Sequence, residues 1–383
     1  MTKSLAAKQR GVALIMAMMI VALITVVATE LSWRFELSVS RSGNRWAGMD
    51  AKAYLDGAEE GAKAILRRDI DDNATKESDH VGEDWASPIP YQEGAVALEI
   101  ALSDAEGRFN LNMLRDKPPC NQPSPPEGVA NCSGGDACIR FTEQQHVFIR
   151  LLQTFNVSDS EEEIVTLTQE QSEGITEAVI DWLDEDSTIT GFGGAESDHY
   201  ESLEPPQAIA NNEMVSVSEL QVLNNMPPKL YKQLVPHVIA LPYEEVPKIN
   251  IQTATQNVLR SIKAKDAENP KACDLLPFEE EVGSSFLSFI QSNAEDEGFK
   301  DIGKLKSSPD LPPEWGENGG YGDILADGGL FAVKQSKYFI LNSTVFIGED
   351  YVRRGLSLIK RESGGENEND VKINVVRRTD ANF

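Results

Sequence analysis

The sequence lacks the groups that several common classes of protein need. Its 383 residues include four cysteines, none of them in a CxxC pair, which argues against a disulfide-rich scaffold and a zinc ribbon. Lys and Arg number 35 against 62 Asp and Glu, so a formal charge of −27 would repel nucleic-acid phosphates. No GxSxG, HExxH or P-loop motif occurs. These shortages argue against a nucleic-acid partner and against the common hydrolase signatures.

An uncharged run lies near the start of the chain. Val12 to Thr29 is 18 residues long and as a helix would cover about 27 Å, close to the ~30 Å hydrocarbon core of a bilayer. No proline occurs before Pro88, so the helix can continue. Beyond the run, a stripe with helical spacing is formed by Phe35, Val39, Ser42, Trp46, Met49 and Ala53. The pattern predicts a long helix over residues 12–68 with a membrane span at 12–31; a plain signal anchor is the alternative.

The junction before the uncharged run resembles a known processing signal. Gln9-Arg10-Gly11 followed by Val12-Ala13-Leu14-Ile15 is similar to the type III leader of the type IV pilin superfamily. The resemblance implies that a prepilin peptidase cuts between Gly11 and Val12 and that the new N-terminus is methylated. Most members carry Glu at the fifth mature position, where this chain has Met16.

The missing Glu is itself a feature of one branch of that superfamily, the K minor pseudopilins of type II secretion. Four later segments are similar to landmarks of the K family and occur in family order: Arg108–Asn112, Asp181–Asp184, Ile249–Ala254 and Ser336–Phe339. Each is weak alone, and together they support the resemblance.

The body of the chain has strand patterns at its two ends and helix patterns between them. Strands are predicted at 95–102, 338–347, 351–360 and 371–377. Helical segments are predicted at 142–155, 168–183, 216–223, 229–240, 253–264 and 278–293.

With the family resemblance, these patterns predict an α+β fold. A pilin-like long N-terminal helix packs on a small antiparallel sheet, and a large, mainly helical insertion domain interrupts the core. The expected parts are a leader at 1–11, the helix at 12–68, a core made of 69–113 and 328–383, and an insertion at 114–327.

The family resemblance would place the body in the periplasm, where disulfides persist. The four disulfide candidates are Cys120, Cys132, Cys138 and Cys273. Three of them flank a proline-rich loop that has no apolar periodicity. The pairing stays open, since four cysteines allow three full pairings, and free buried thiols are the alternative.

The middle of the chain is strongly acidic. From Leu151 to Pro228 there is no Lys or Arg but there are 17 Asp or Glu, nine of them between Glu177 and Glu204. Their repulsion must be relieved by solvent or by a cation. Oxygen ligands select hard ions such as calcium. The spacing is not that of an EF-hand, because Ile189 stands where the turn glycine belongs.

The K family has calcium sites in its helical insertion. The resemblance therefore implies calcium ligands at Asp184, Asp186, Glu196 and Asp198, helped by a backbone carbonyl near residue 189 or 190. A solvated acidic surface is the alternative, and Asp181 is expected to cap or brace the helix that ends near residue 183.

Two further functions compete with a structural one. A membrane-anchored, calcium-dependent periplasmic hydrolase could use two of these carboxylates, although only their abundance supports it. Met226–Lys232 and Ile249–Thr255 resemble helix-hairpin-helix segments of DNA-binding proteins, but prolines replace the glycines and the surroundings are acidic. We therefore expect no nucleic-acid partner.

The function implied by the resemblance is that of a non-enzymatic minor pseudopilin. It would form the tip or initiation complex of the pseudopilus with the I and J subunits, and through them contact H and the major pseudopilin. Phe35, Trp46 and Met49 are the expected contacts with partner helices. The other expected partners are the prepilin peptidase and the inner-membrane secretion platform. The expected location is the inner membrane, crossed once, with most of the chain in the periplasm.

Overall fold

The fold is described from a computed structural model of the chain. The described residues are 5–71, 78–116, 140–158, 165–243, 248–262, 275–294, 298–315, 330–348, 351–362, 371–379 and 383.

A single continuous helix, α1 (Leu5–Asp71), begins the fold. Its 67 residues correspond to a length of about 100 Å, and it ends three residues beyond the predicted end at residue 68. Within the described residues, α1 is the one helix long and apolar enough to cross a membrane. The side chains from residue 12 to 31 are all exposed in the isolated chain, as lipid-facing side chains would be.

A five-stranded antiparallel sheet packs against the second half of α1. In chain order its strands are β1 (Ile89–Glu93), β2 (Val96–Asp104), β7 (Tyr338–Ile347), β8 (Tyr351–Glu362) and β9 (Lys372–Thr379). They are neighbours in the order β1-β2-β7-β8-β9. The three strands predicted near the C-terminus and the one at 95–102 are therefore present.

Strand β1 was missed by the sequence patterns, which assigned residues 69–90 to a connection. Its Pro90 and the acidic residues before it are unfavourable for a strand, but an edge strand tolerates proline. Gly94, with φ +58°, forms the turn that pairs Glu93 with Val96 in the adjoining strand. A positive φ at this position favours glycine, which explains why the hairpin forms here.

The contact between α1 and the sheet begins at Gly48, whose carbonyl accepts Arg353 Nη1 of β8 at 3.1 Å. Ala51, Ala58, Ala62 and Leu66 are buried against the sheet, and the small side chains of the three alanines let the helix approach closely. Before Gly48 the helix projects alone, and the stripe residues Phe35, Trp46 and Met49 are 71%, 64% and 55% exposed. Packing of the stripe on the chain's own sheet, the alternative explanation of these residues, is not observed among the described residues.

The inserted part contains seven short or medium helices among the described residues. They are α2 (Glu143–Leu152), α3 (Gln169–Leu183), α4 (Ser197–Glu201), α5 (Pro228–Leu234), α6 (Gln256–Arg260), α7 (Glu280–Ala294) and α8 (Ile302–Lys306). Capping boxes begin α2 at Thr142 and α3 at Thr168, the residues at which the two predicted helical segments start. These helices share one large apolar core around Phe148, Val179 and Phe286.

Two predicted helices differ from the structure. Residues 216–223 form a 3₁₀ helix, Val217–Val222. The segment 229–240 is divided into α5, a 3₁₀ turn at Val235–His237 and strand β4 (Val238–Ile239). Pro236 lacks the amide proton that a continuing helix would need, and the β-branched pair after it favours a strand.

Two short parallel strand pairs join the insertion to the core. Strand β3 (Phe109–Asn110) pairs with β4, and β5 (Ile249–Asn250) pairs with β6 (Phe331–Ala332). The whole arrangement confirms the predicted α+β fold, with a long helix on an antiparallel sheet and a helical insertion between strands of that sheet.

A buried ion-pair network lies where α1, the sheet and the insertion meet. Arg361 of β8 contacts Asp69 at the end of α1, with Nη1 2.8 Å from Oδ2, and also Asp79 in the loop that follows. The Asn250 amide donates to the Asp79 carbonyl and to the Asp104 carboxylate, both at 2.9 Å. The side chains of Arg361 and Asp79 are 2% and 0% exposed, so each charge depends on the other.

Replacement of Arg361 by Met should therefore destabilise the chain strongly. It leaves Asp69 and Asp79 without this cation, and we expect the free energy of unfolding to fall by about 3–5 kcal/mol. Chemical denaturation of the full chain in detergent measures this free energy of unfolding. Arg68→Met is the matched control, because the Arg68–Asp84 pair is exposed on both sides and should contribute less than about 1 kcal/mol. Equal losses in the two variants would contradict the role given to Arg361.

Candidate metal centre

The acidic loop between α3 and α4 is positioned by the end of α3. Asp184 is the C-cap of α3 and leaves the helix with extended dihedral angles, while its amide still donates to the Ile180 carbonyl at 3.0 Å. The last turn of α3 is fixed by Trp182, whose indole donates to Glu219 at 2.9 Å and packs edge-on against Tyr200 of α4. The two helix ends are thus held together on both sides of the loop.

Three of the four predicted calcium ligands lie together in this loop. Asp184, Asp186 and Glu196 each offer a carboxylate oxygen within 4.8 Å of the others. Asp184 and Glu196 are each only 5% exposed. The fourth predicted ligand, Asp198, lies in the first turn of α4, is exposed and is not part of this group. We call Asp184, Asp186 and Glu196 the loop cluster.

The two candidates for a backbone carbonyl ligand, at residues 189 and 190, differ in their surroundings. The Thr190 carbonyl accepts the Gly194 amide at 3.2 Å and is part of the turn, whereas Ile189 is 58% exposed. Asp186 Oδ1 accepts the Thr188 amide at 2.7 Å, which fixes the first bend of the loop. The loop backbone is therefore ordered by its own hydrogen bonds around the cluster.

Asp181 braces the loop rather than capping α3. Its carboxylate accepts the Thr190 amide, with Oδ1 at 3.0 Å, from inside the protein, where the side chain is fully buried. Burial is the largest cause that raises the pKa of Asp181 to about 7; the carboxylates of Glu196 and Asp184 contribute to the rise, and the hydrogen bonds from Thr190 oppose it. The raised pKa of Asp181 therefore reflects both its burial and the negative charge of the loop.

A second carboxylate of α3, Glu177, organises the glycine turn and was not singled out from the sequence as a turn-binding residue. Its Oε2 accepts the amides of Phe192 at 3.0 Å and Gly193 at 2.8 Å, and its Oε1 pairs with Arg140. Gly193 touches α3 so closely that a Cβ would lie 2.2 Å from the Gly174 Cα. The sequence spacing could have indicated this role of Glu177, since Glu177 and Asp181 are four residues apart and lie on the same face of the helix.

The loop cluster fits a hard divalent cation. All of its donors are oxygens, two of its members are buried, and the surrounding sequence from residue 151 to 228 has no Lys or Arg. Three converging carboxylates repel one another unless a cation or protons neutralise them.

The other predicted residues are placed as follows. Gly11 and Val12 lie inside α1, in its exposed first part. All four disulfide candidates, Cys120, Cys132, Cys138 and Cys273, lie outside the described residues.

The architecture defines a class of protein: a pilin-like subunit with an apolar helical stalk, a sheet against the stalk and an inserted helical domain. Residues 107–243 match the family described as type II secretion system (T2SS), protein K. Similar proteins include the type II secretion system protein K of Pseudomonas aeruginosa, 34% identical over 66% of this chain and 68% of that protein. The type II secretion system protein K of Aeromonas hydrophila is 30% identical over 64% of this chain and 67% of that protein. The chain belongs to the type II secretion system protein K family.

A solved structure supports the fold. One chain of the crystal structure titled as the GspK-GspI-GspJ complex from the enterotoxigenic Escherichia coli type 2 secretion system matches with a TM-score of 0.60. The match covers 88% of this chain and 98% of that one at 20% identity, so it supports the architecture and no residue-level detail.

Proposed function

We propose that this chain is a non-enzymatic minor pseudopilin that forms the tip or initiation complex of the pseudopilus with the I and J subunits and so promotes protein export across the outer membrane. The observation that carries the proposal is the bare first half of α1. In support, the chain belongs to the K family, and a solved relative of the same fold is described in a complex with I and J subunits.

The bare part of α1 extends beyond a membrane. If residues 12–31 span the bilayer, the stretch from Phe35 to Met49 adds about 20 Å of helix outside it. Phe35, Trp46 and Met49 would then face water unless other helices cover them. The neighbouring helices of I and J subunits are the covering that this stripe needs, and through them the chain would join H and the major pseudopilin.

Met16 supports a position at the end of the filament. A carboxylate within a bilayer is costly unless a partner group meets it. A subunit with no other subunit ahead of it has no such partner, and Met16 avoids the cost. The large insertion at the far end of the stalk would hinder addition of a further subunit above it.

The same arrangement suggests where the chain works. The stalk would hold it in the inner membrane as a single span, with the sheet and insertion in the periplasm. A prepilin peptidase would remove residues 1–11, and the inner-membrane secretion platform would load the subunit into the growing pseudopilus.

Cleavage at Gly11 is the first test. In cells with a prepilin peptidase the chain should be eleven residues shorter, begin at Val12 and carry a methylated amino group, as mass spectrometry can show. Gly11→Val should leave it at full length, because a β-branched residue would crowd the cut site. Gly43→Val, in an open part of the same helix, should be processed normally. A full-length product in peptidase-containing cells would exclude the pseudopilin assignment.

The helix stripe is the second test. Phe35→Asp combined with Trp46→Asp should abolish co-purification of I and J subunits from detergent extracts and lower secretion at least tenfold, because charges would then face partner helices. Val352→Asp is the control, since this side chain is 52% exposed and belongs to β8 of the sheet rather than to α1. Normal capture of I and J by the stripe variant would contradict these contacts.

We also propose that the loop cluster binds calcium. Asp184, Asp186 and Glu196 would supply carboxylate oxygens, with Asp198 within reach in sequence as a further ligand. The bound ion would neutralise their charge and link the end of α3 to the start of α4. That link would hold the glycine turn and the fully exposed Phe192 in place.

Phe192 provides a local readout of calcium binding. Chymotrypsin should cut after this exposed side chain in chelator, and calcium should slow the cut at least several-fold because the loop must open to enter the protease. Asp186→Ala with Glu196→Ala should remove the protection, whereas Glu185→Ala, whose side chain is 79% exposed, should keep it. Equal cutting rates of the unaltered chain with calcium and with chelator would disprove the site.

A further inference from the structure

A second group of carboxylates lies far from the acidic loop in sequence, at the meeting point of α1, the sheet and the insertion. Asp69 belongs to the last turn of α1, and Asp79 and Glu83 lie in the loop before β1. Each offers an oxygen within 4.8 Å of the others. Their side chains are 8%, 0% and 1% exposed. We call these three residues the junction cluster.

The carboxylates of the junction cluster are not equally neutralised. Arg361 pairs with Asp69 and Asp79, whereas among the described residues the basic group near Glu83 is the His80 ring, with Nε2 3.7 Å from Oε1. Asp104 adds a further carboxylate nearby, although its own oxygens accept bonds from Thr253 at 2.6 Å and Ser336 at 2.7 Å. A buried carboxylate such as Glu83 is unfavourable in its charged form unless a proton or a cation neutralises it.

Two oxygens of the cluster accept no hydrogen bond in the part of the chain that the structure describes. They are Asp79 Oδ1 and Glu83 Oε1, both buried. The other oxygen of each carboxylate accepts hydrogen bonds. Asp79 Oδ2 accepts from Arg361 and the Ser336 amide, and Glu83 Oε2 accepts from the Trp85 indole. A buried carboxylate oxygen without a donor is rare and indicates a missing neighbour.

His80 helps to define what that neighbour can be. The His80 Nδ1 accepts the Gly82 amide at 3.2 Å, so its proton is on Nε2, which lies 3.7 Å from Glu83 Oε1. A protonated Nε2 cannot ligate a metal. The available donors are therefore carboxylate oxygens, which select calcium or magnesium over zinc or copper.

The position of Asp69 also favours a cation. The last turn of a helix has exposed carbonyls and the negative end of the helix dipole, where a carboxylate is unfavourable and a positive charge is stabilised. In α1 the Asp69 side chain at this end is 8% exposed and lies next to two more carboxylates. A cation there would interact with the dipole and with the cluster together.

We propose that Asp69, Asp79 and Glu83 bind a divalent cation of the calcium class at the junction of stalk, sheet and insertion. This site goes beyond the proposed function and is separate from the loop cluster. The segment it would fix is already tied to the insertion, because the Ser78 hydroxyl donates to the Phe299 carbonyl at 2.6 Å. A cation would fasten the insertion to the end of the stalk.

The acidities of the cluster agree with this geometry. Burial, with the charges of Asp69 and Asp79, raises the pKa of Glu83 to about 9. Burial likewise raises the pKa of Asp79 to about 7 against the opposing effect of Arg361.

The test uses the full chain in detergent, with the loop cluster removed by Asp186→Ala and Glu196→Ala. Calcium titration by calorimetry should still show one bound ion per chain, with a rise in Tm of several degrees. Adding Glu83→Gln should abolish both the bound ion and the rise in Tm. This substitution keeps an oxygen for the Trp85 indole and supplies an amide that can donate to Asp79, so in chelator its Tm should equal or exceed that of its parent.

Glu99→Gln, on the exposed face of β2, is the matched control and should leave the binding unchanged. No residual calcium binding at roughly millimolar calcium would overturn the proposal. So would residual binding that survives Glu83→Gln. A cluster that holds only protons would show no change of Tm with calcium, either with Glu83 or with Glu83→Gln, and this result also overturns the proposal. None of these results depends on whether the loop cluster binds calcium, since that cluster is absent throughout.

Discussion

The buried pairing of Arg361 with Asp69 and Asp79 is the constraint on which the arrangement of this chain depends. It joins a strand from the C-terminal end, the last turn of the stalk and the loop that leads into the sheet. Charges removed from water in this way are stable only as a complete set. Apolar packing of α1 on the sheet would tolerate some sliding, whereas a guanidinium held between two carboxylates fixes one position of the stalk.

Both carboxylate clusters follow the same construction. Each lies at the end of a helix, with Asp184 as the C-cap of α3 and Asp69 in the last turn of α1, and each is completed by residues from the loop that follows. Helix ends place carboxylates accurately because the preceding turns are rigid. The strong negative charge of the chain is thus partly concentrated at two points where loops must be fixed to helices.

The sequence alone predicted the long and periodic features well and the long-range ones poorly. The stalk and the strands β7 to β9 have patterns sustained over many residues, and the structure has them. Strand β1 depends on a glycine turn and on pairing with β2, which no local pattern reveals. The loop cluster was predicted because its members are close in sequence and resemble a family feature. The junction cluster was not, since Arg361 is 292 residues from Asp69 and 282 from Asp79.

The pairing of β2 with β7 has a consequence for how the chain reaches its folded state. Leu98 lies opposite Val345, so the sheet cannot close until nearly the whole polypeptide is present. Until then the inner face of the stalk from Ala51 to Leu66 has no complete sheet to cover it. The insertion has its own apolar core and can condense first. The stalk therefore receives its complete covering only when the last strands have joined the sheet.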